Sequence, residues 1–489
     1  MADQPQAAAP PGAAQQAPGA PPRDPGRRLL EHLRRLDAAG PDQLSMAVRI
    51  QPPPAPTTIA ETGVPELLLT RMLLKTMHVG ALRTVPELVH ALKLAPVVVQ
   101  ALLQGAIDRR LIEVSGAQLQ GAIPIVEHVL SERGRDWAAD AFAQSQYVGP
   151  VPVPLQSYAA QVARQPIAAQ AIAPSAVRAA LADLVLDDSV VEAIGPALAA
   201  RRSILLYGAP GNGKSSIAER LARLFDDVIF VPYAIEIDGQ IVRVFDAQLH
   251  GPAPAEPAQP PAAQAGIRRD DFDERWVACR RPFAIAAGEL TLEMLDVRPA
   301  ERAGFYDAPL HVKAMGGVFV IDDFGRQAVN PKALLDRWIV PLERRIDYLK
   351  LQTGKSFSLP FDALIVFSTN IEPDVLMDAA FLRRIPYKIH LPAPGEADYR
   401  RIFERAASRH GLQIPDDLVD LAIAELRRRG LPLAGYQPGF VVDQIVTACR
   451  FHERPPAASA ALVRAALANL STRTFAPPGA GQEDSPASP

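Results

Sequence analysis

Residues 203–225 read SILLYGAPGNGKSSIAERLARLF, and this stretch decides the fold class that the sequence predicts. It begins with apolar residues typical of a short buried strand, and its last twelve residues have the apolar spacing of a helix. The loop between them, GAPGNGKS at 208–215, fits the pattern G-x-x-x-x-G-K-[ST] without a mismatch. Because a strand before the loop and a helix after it are the context that this pattern requires, we predict a phosphate-binding loop.

The residue types of this loop indicate its chemistry. The glycines let the backbone turn its N–H groups inward around phosphate oxygens, and the N-terminus of the following helix adds the positive end of its dipole. Lys214 supplies a point charge for the β- and γ-phosphates, and the hydroxyl of Ser215 is a ligand for Mg²⁺. The predicted nucleotide-binding residues are Gly208, Ala209, Pro210, Gly211, Asn212, Gly213, Lys214, Ser215 and Ser216.

A second stretch, VFVIDDFGRQ at 318–327, places two carboxylates at the end of an apolar run. A buried strand of this kind delivers Asp322 to organise Mg²⁺ opposite Ser215, so these two residues are the predicted metal ligands. Asp323 is the candidate to orient or deprotonate an attacking water, because hydrolysis needs a carboxylate within hydrogen-bond reach of that water.

Strand and helix patterns alternate from residue 201 to about residue 395. Runs such as VIFVPYAIEI (228–237) and ALIVFSTN (363–370) are typical of strands, and ALLDRWIVPLERR (333–345) is typical of a helix. This alternation predicts a parallel sheet with helices on both faces. Residues 396–471 carry only helical patterns and predict a small helical domain appended to the sheet. The predicted fold class is therefore multidomain α/β.

These features together resemble the AAA+ ATPases, a branch of the P-loop NTPases, over roughly residues 180–471. The resemblance is carried by the loop at 208–215, the acids at 322–323, the FSTN ending at Asn370, the stretch DAAFLRRIPYKIHLPAP at 378–394 and the helical C-terminal region. It implies an αβα sandwich with a parallel sheet and a C-terminal helical lid. It also implies ATP and Mg²⁺ as ligands and assembly into a homo-oligomer.

The resemblance also implies roles for residues that no local pattern singles out. By it, Asn370 reads the γ-phosphate and positions water. Arg383 or Arg384 reaches the ATP of a neighbouring subunit, where a cation stabilises transition-state charge. The predicted catalytic residues are Asp323, Asn370, Arg383 and Arg384.

The sequence departs from the family pattern in three places. Asp323 stands where the family usually has Glu, one methylene longer, so we expect slow hydrolysis or a differently placed water. The start of the lid helix reads GYQPGFVVDQIV, with Gly439 and Phe440 where the family has a sensor arginine. Lys214 and Asp322 lie 108 residues apart, which predicts an insertion at about 238–312. This insertion, and a hairpin pattern before the strand that ends at Asn370, are similar to features of the MoxR-like and helix-2-insert branches.

Residues 57–146 predict a separate compact unit of three helices, two strands and a closing helix, which resembles a winged helix. A winged helix suggests DNA as a partner, but the unit holds 8 Lys and Arg against 9 Asp and Glu. Phosphate contacts need positive charge, so we favour a protein client or adaptor over nucleic acid as its partner. A purely structural spacer is a third interpretation.

The remaining segments are assigned by composition. Segments rich in Pro and Ala cannot bury enough apolar surface to form a core. A Pro-rich spacer is predicted to separate the two folded parts. The predicted segments are a disordered N-terminus (1–56), the winged-helix-like domain (57–146), a Pro-rich linker (147–173), the ATPase core (174–395), the lid (396–475) and a disordered tail (476–489).

The net charge, the cysteine content and the lengths of the apolar runs limit the partners and the compartment that we expect for the protein. The formal net charge of the 489 residues is −3, which gives no broad basic field for nucleic acid or membrane. The two cysteines offer neither a zinc pattern nor a disulfide framework. No apolar run approaches the roughly 20 residues of a membrane span, and the first residues lack signal-peptide features, so we expect a cytoplasmic protein.

Two functions fit these observations. The first is an oligomeric ring that hydrolyses ATP with Mg²⁺ and remodels a protein client in a MoxR-like manner. The second is a nucleotide-dependent switch or scaffold that binds ATP with little hydrolysis and recruits partners to DNA through the winged helix.

Overall fold

The computed structural model describes residues 50–120, 123–167, 172–225, 227–251, 272–300 and 303–470. The predictions for residues 1–49, for nearly all of the loop GPAPAEPAQPPAAQAG (251–266) and for the tail lie outside these ranges. Residues 50–56 are described, and the prediction of disorder is wrong for them. Pro54 pairs with Phe272 in an antiparallel bridge, and the amide of Asp273 donates to the carbonyl oxygen of Pro53 at 2.9 Å.

The N-terminal module, residues 57–146, has three helices, a two-stranded antiparallel ribbon and a fourth helix, in the predicted order. Its elements are α1 (Glu66–Gly80), α2 (Val85–Leu92), α3 (Pro96–Asp108), β1 (Ile112–Gln120), β2 (Ile123–Leu130) and α4 (Glu132–Gln144). Glycine is required where α4 meets the ribbon, because a Cβ on Gly134 would lie 1.9 Å from the carbonyl oxygen of Leu111. Apolar faces of the helices form a core that includes Leu73, Leu88 and Leu102.

In the segment 147–173, predicted to be a Pro-rich linker, the described residues 147–167 are instead built into the core. The segment contains β3 (Val153–Pro154) and α5 (Leu155–Arg164). Val153 is fully buried, and the amide of Val151 donates to the carbonyl oxygen of Leu92 at 2.9 Å. Val151 is buried in the core of the N-terminal module and Val153 in the core that follows, so the described residues before and after the segment belong to one compact unit.

A five-stranded parallel sheet lies at the centre of residues 174–395. The strands from here on are β4 (Ile204–Tyr207), β5 (Val228–Pro232), β6 (Ala234–Ile237), β7 (Gln240–Arg243), β8 (Trp276–Arg280), β9 (Phe283–Ala286), β10 (Arg298–Pro299), β11 (Tyr306–Asp307), β12 (Val318–Ile321), β13 (Ile346–Lys350), β14 (Ser356–Pro360), β15 (Leu364–Thr369) and β16 (Tyr387–His390). The order across the central sheet is β16-β4-β15-β12-β9, with every neighbouring pair parallel. The predicted parallel α/β architecture is confirmed.

Helices cover both faces of this sheet, which explains why the inner strand β12 is apolar at every position. In β12, Phe319 and Ile321 pack into the core on one face, and Val318 and Val320 pack into the core on the other. The helices of this region are α6 (Pro174–Leu181), α7 (Asp188–Ala200), α8 (Lys214–Ala222), α9 (Leu310–Lys313), α10 (Pro331–Arg344), α11 (Pro373–Leu376) and α12 (Ala379–Leu382).

The strand predicted at 228–237 does not join the central sheet. It divides at Tyr233 into β5, which pairs with β8, and β6, which pairs with β7 and β3. The position beside β12 is taken by β9, which lies within the segment predicted as an insertion at 238–312. Strands β7, β10 and β11 of that segment join β6 and β3 in a second sheet, ordered β10-β11-β7-β6-β3. The predicted hairpin before the strand that ends near Asn370 is β13–β14.

The C-terminal bundle consists of α13 (Glu396–Arg409), α14 (Asp416–Arg428), α15 (Tyr436–Phe451) and α16 (Ala460–Ala468). These helices bury their own core, with Tyr399, Phe403 and Leu426 at its centre. The prediction of an all-helical region from residue 396 is confirmed as far as residue 470, where the described part ends.

In the described part of the chain, no single helix combines the length and the apolar character needed to cross a bilayer. Helices α2 and α3 meet both criteria only when taken together, and the chain bends by 111° between them.

Candidate functional site

The loop after β4 has the backbone conformation that its glycines allow. Gly208, Gly211 and Gly213 have φ angles of 140°, 79° and 86°, which side chains with a Cβ rarely adopt. Gly208 also passes close to the chain after β16, because a Cβ there would lie 2.3 Å from the carbonyl oxygen of Leu391. Gly213 is the N-cap of α8, so the loop leads directly into a helix N-terminus.

Lys214 directs its ammonium group at three oxygens beside the loop. It donates to the carbonyl oxygens of Gly208 at 3.0 Å and Ala209 at 2.9 Å, and to Oδ1 of Asn370 at 2.6 Å. Burial lowers the pKa of Lys214, and the nearby carboxylates of Asp323 and Asp322 partly offset this shift. These contacts hold a cation against the loop, where phosphate oxygens would be its natural partners.

Ser215 and Asp322 meet as the sequence predicts. The hydroxyl of Ser215 donates to Oδ2 of Asp322 at 2.7 Å, across 107 residues of sequence. The backbone of Asp322 is fixed on both sides: its amide donates to the carbonyl oxygen of Ala286, and its carbonyl oxygen accepts from the side chain of Gln327 at 3.1 Å. A hydroxyl and a carboxylate oxygen are the hard ligands that Mg²⁺ prefers, so the residues present fit the metal.

Asp323 and Asn370 form the next contact along this edge of the sheet. Asp323 has a left-handed backbone, with φ 48°, and its amide donates to Oδ1 of Asp322 at 3.0 Å. Its own Oδ1 accepts from Nδ2 of Asn370 at 2.7 Å. Asn370 therefore lies between the ammonium of Lys214 and the carboxylate of Asp323, and its side chain contacts both.

A cavity with a volume of about 760 Å³ opens beside these residues. Its walls come from the chain at 183–187, the loop at 210–216, the chain at 391–395 and the C-terminal bundle. The predicted residues that line it are Pro210, Gly211, Asn212, Gly213, Lys214, Ser215, Ser216, Asp322, Asp323 and Asn370. Gly208 and Ala209 contact the site through the carbonyl oxygens that Lys214 binds.

The C-terminal bundle contributes residues that the sequence did not single out. Tyr436 lies against the phosphate-binding loop, since a Cβ on Gly211 would be 2.2 Å from its ring. Asn212 accepts from the amide of Gly435 at 3.4 Å and donates to the carbonyl oxygen of Pro392 at 3.1 Å. The side chains of Arg405 and Arg409 line the cavity from α13.

Gly439 and Phe440 occupy the lid position where the family has a sensor arginine. Gly439 lines the cavity, and Phe440 packs against the core of the C-terminal bundle. Helix α15 therefore brings no cation to the cavity.

Neither of the two candidate arginines, Arg383 and Arg384, lines the cavity of its own chain. Both follow α12, whose N-terminus is capped by Asp378. The guanidinium of Arg384 pairs with Glu343 at 2.6 Å and donates to the carbonyl oxygen of Ala380. Arg383 is exposed, and no described residue forms a hydrogen bond or ion pair with its side chain.

Comparison with known protein families gives one match. A family described as a domain of unknown function, DUF8689, matches residues 395–469, which are the helices of the C-terminal bundle. No curated protein matches the chain.

Among solved structures, the chain is similar to NtrX from Brucella abortus in complex with ATP, at 14% identity and a TM-score of 0.35, over 56% of this chain and 54% of that chain. The ADP complex of the same protein gives 13% identity and a TM-score of 0.38, over 60% and 56%. RuvB from Thermotoga maritima, a Holliday junction branch migration motor, gives 17% identity and a TM-score of 0.31, over 58% and 69%. The chain thus spans little more than half of each NtrX chain. TM-scores this low do not define the fold, which follows from the strand order of the chain itself.

Proposed function

We propose that this chain is an AAA+ ATPase that binds ATP with Mg²⁺ and hydrolyses it. The proposal is carried by one observation: polar side chains from the N-terminus of α8 and from the ends of β12 and β15 meet in one chain of contacts. Ser215 bonds to Asp322, while Lys214 and Asp323 both bond to Asn370. A lysine, a hydroxyl, two carboxylates and an amide beside a glycine loop are the groups that phosphoryl transfer from a nucleotide requires.

In this proposal each side chain has a separate task. Lys214 binds β- and γ-phosphate oxygens in place of the carbonyl oxygens of the loop. Ser215 and Asp322 would hold Mg²⁺, which when bound supplies positive charge against the triphosphate. Asn370 orients the attacking water with its amide.

Asp323 accepts a proton from that water while the water oxygen bonds to the γ-phosphorus and the bond to ADP breaks. The proton then passes to the released phosphate. The contact between Asp323 and Asn370 places the base and the water-orienting group side by side.

The test is ATP turnover by the purified chain in Mg²⁺, compared with Asp323→Asn. Asparagine tolerates the left-handed backbone at this position, so the substitution removes the carboxylate charge with little strain. We expect Asp323→Asn to lose at least 100-fold in kcat, about the range of general-base catalysis, and to keep its affinity for ATP. Unchanged turnover would mean that Asp323 is not the base.

The proposed assembly is a homo-oligomeric ring in which an arginine completes the site of the next subunit. The exposure of Arg383, with no partner among the described residues, supports it over Arg384, which Glu343 already binds. Specific activity should then rise with protein concentration and vanish in the double variant Arg383→Ala/Arg384→Ala. Turnover independent of both would contradict sites completed by a neighbour.

The N-terminal module is proposed to be a winged helix that contacts a protein client or adaptor, in a MoxR-like, cytoplasmic remodelling role. Exposed apolar side chains support a protein partner: Val97 on α3, Val114 on β1 and Val126 on β2. DNA binding would require log K to fall steeply with log salt, and no binding at about 50 mM salt would exclude it.

The second candidate function is a nucleotide-dependent switch with little hydrolysis. It is favoured by the short side chain of Asp323, whose Oδ1 is already bound by Asn370. Tight ATP binding with negligible turnover at every protein concentration would support the switch over the ATPase.

A further inference from the structure

One face of α13 points into the cavity. Asp398, Ile402, Arg405 and Arg409 all line it, and their spacing of four, three and four residues puts them along a single face of the helix. Two of the four are arginines. Among the described helices of the C-terminal bundle, α13 is therefore the one that brings cations to the cavity.

Arg409 lies at the end of the cavity remote from the phosphate-binding loop. Helix α13 begins just after Pro392, whose carbonyl oxygen is bonded to Asn212 in that loop. From Asp398 to Arg409 the helix rises about 16 Å, at 1.5 Å per residue. At the far end, Arg405 donates to the carbonyl oxygen of Ala182 at 2.8 Å, which fixes α13 beside the chain at 183–187.

The side chain of Arg409 forms no hydrogen bond or ion pair with a residue that the structure describes. Asp183 is the nearby carboxylate, and it is bound by Arg220 through both of its oxygens at 2.7–3.1 Å. These hydrogen bonds lower the pKa of Asp183, and the charge of Arg409 lowers it further without direct contact. The guanidinium of Arg409 is therefore free to bind a ligand in the cavity.

Charged and apolar residues both line this part of the cavity, and the apolar ones come from two sides. Leu184, Leu186 and Val190 line one side, and Ile402 and Ala406 line the other. Such walls suit a flat aromatic ring better than a phosphate group, and a guanidinium stacks well on the face of such a ring.

We propose that Arg409 contacts the purine base of the bound nucleotide, so that α13 supplies the cation that α15 does not bring to the cavity. This inference rests on the proposed nucleotide binding and adds the residue that recognises the nucleoside end. Arg409 binds ADP and ATP alike in this scheme, because it does not reach the phosphates.

The test is calorimetric titration of the full chain with ADP and, separately, with inorganic tripolyphosphate, which has no base. Arg409→Ala should raise the Kd for ADP about tenfold, the value of a desolvated cation–π contact of roughly 1.4 kcal/mol. The Kd for tripolyphosphate should not change. Arg409→Lys keeps the charge but loses the planar group, so we expect a smaller rise.

The matched control is Arg464→Ala, which removes an exposed arginine of α16 that lies outside the cavity. An Arg409→Ala variant that binds ADP as tightly as Arg464→Ala would overturn the proposal. Equal weakening of ADP and tripolyphosphate would also overturn it, because it would place Arg409 at the phosphates. A wild-type chain that binds neither ligand would instead refute the proposed function and this inference with it.

Discussion

Gly211 combines a left-handed backbone with a close neighbour. Its φ is 79°, and a Cβ would lie 2.2 Å from Cδ1 of Tyr436. We expect Gly211→Ala to weaken ADP binding by more than tenfold, because the added methyl group pushes Tyr436 and α15 away from the phosphate-binding loop. Calorimetric titration with ADP measures this change.

Gly239 provides a matched control for this prediction. Its φ of 78° is nearly the same, but a Cβ there would meet nothing within 4 Å. Both alanine variants should lose about 1–2 kcal/mol of stability from backbone strain, and only Gly211→Ala should lose affinity. In Gly211→Ala, a second substitution, Tyr436→Ala, should restore part of the binding. Wild-type affinity in Gly211→Ala would show that the contact is unimportant for nucleotide.

Lys75 is a buried cation in the N-terminal module. Its ammonium donates to the carbonyl oxygens of Ser145 at 2.9 Å and Tyr147 at 3.0 Å, and burial lowers its pKa to about 8. An unfolded lysine has a pKa near 10.4, so from about pH 8 to about pH 10 the unfolded chain holds a proton that the folded chain has released. Stability therefore gains from rising pH over this range, relative to a variant without the group.

The measurement is urea unfolding of wild type and Lys75→Met at pH 7.5, 8.5 and 9.5. The difference in stability, wild type minus variant, should grow with pH. The exposed Lys332→Met serves as a control and should show no such trend. A difference that is constant or falls with pH would contradict the lowered pKa.

At the scale of single residues, the sequence predicted those members of the candidate site that belong to recognisable local motifs. Lys214, Ser215, Asp322 and Asp323 lie in contiguous motifs whose residue types state their chemistry, and the structure brings them together. Tyr436, Arg405 and Arg409 belong to a helical region whose position over the cavity is set by tertiary packing. No pattern within α13 or α15 distinguishes their cavity-facing residues from an ordinary polar helix face.

Helix α2 depends on one carboxylate at its N-terminus. Glu87 accepts from the amides of Arg83 and Thr84 and from the hydroxyl of Thr84, at 2.8–2.9 Å. We expect Glu87→Ala to destabilise the protein by about 1 kcal/mol, the usual value of a helix cap. The exposed Glu113→Ala, on β1, should change the free energy of unfolding by less than about 0.5 kcal/mol. Equal effects of the two substitutions in urea unfolding would contradict the cap.

At the scale of elements, the sequence predicted where strands occur better than it predicted which strands pair with each other. Residues 228–237 are as apolar as a central strand, but Tyr233 divides them, and β9 occupies the place beside β12. The sequence of β9, FAIA, is too short to be distinguished from the strand-like residues around it. Likewise, prolines in the segment 147–173 suggested a spacer, because composition cannot reveal that Val153 pairs with Ile235, 82 residues later.

At the scale of the whole molecule, Arg275 connects its own segment with two segments that are distant in the sequence. Its guanidinium pairs with the buried Asp273 at 2.8 Å and donates to the carbonyl oxygens of Thr62 at 3.0 Å and Pro152 at 3.3 Å. Arg275→Ala leaves a buried carboxylate without its cation, so we expect a loss of about 3–5 kcal/mol in the free energy of unfolding. Guanidinium unfolding measures the change.

Arg280 is the exposed last residue of β8, the strand that begins just after Arg275, and Arg280→Ala should be nearly neutral. The double variant Arg275→Met/Asp273→Leu removes both charges and should recover much of the loss, because neither group is then buried alone. An Arg275→Ala variant as stable as Arg280→Ala would show that the contacts of the Arg275 guanidinium do not stabilise the fold.

The core of the N-terminal module has a consequence for protein synthesis. That core includes Val151, Ala234 and Ile241 together with the leucines of α1–α3. On the ribosome, a nascent chain that has emerged only to residue 146 lacks these side chains, so its module is incomplete. The module closes only after β6 and β7 have left the exit tunnel, and by then β4 and the phosphate-binding loop have emerged as well. The N-terminal module therefore completes its core only after the phosphate-binding loop has emerged, although the module precedes that loop in the chain.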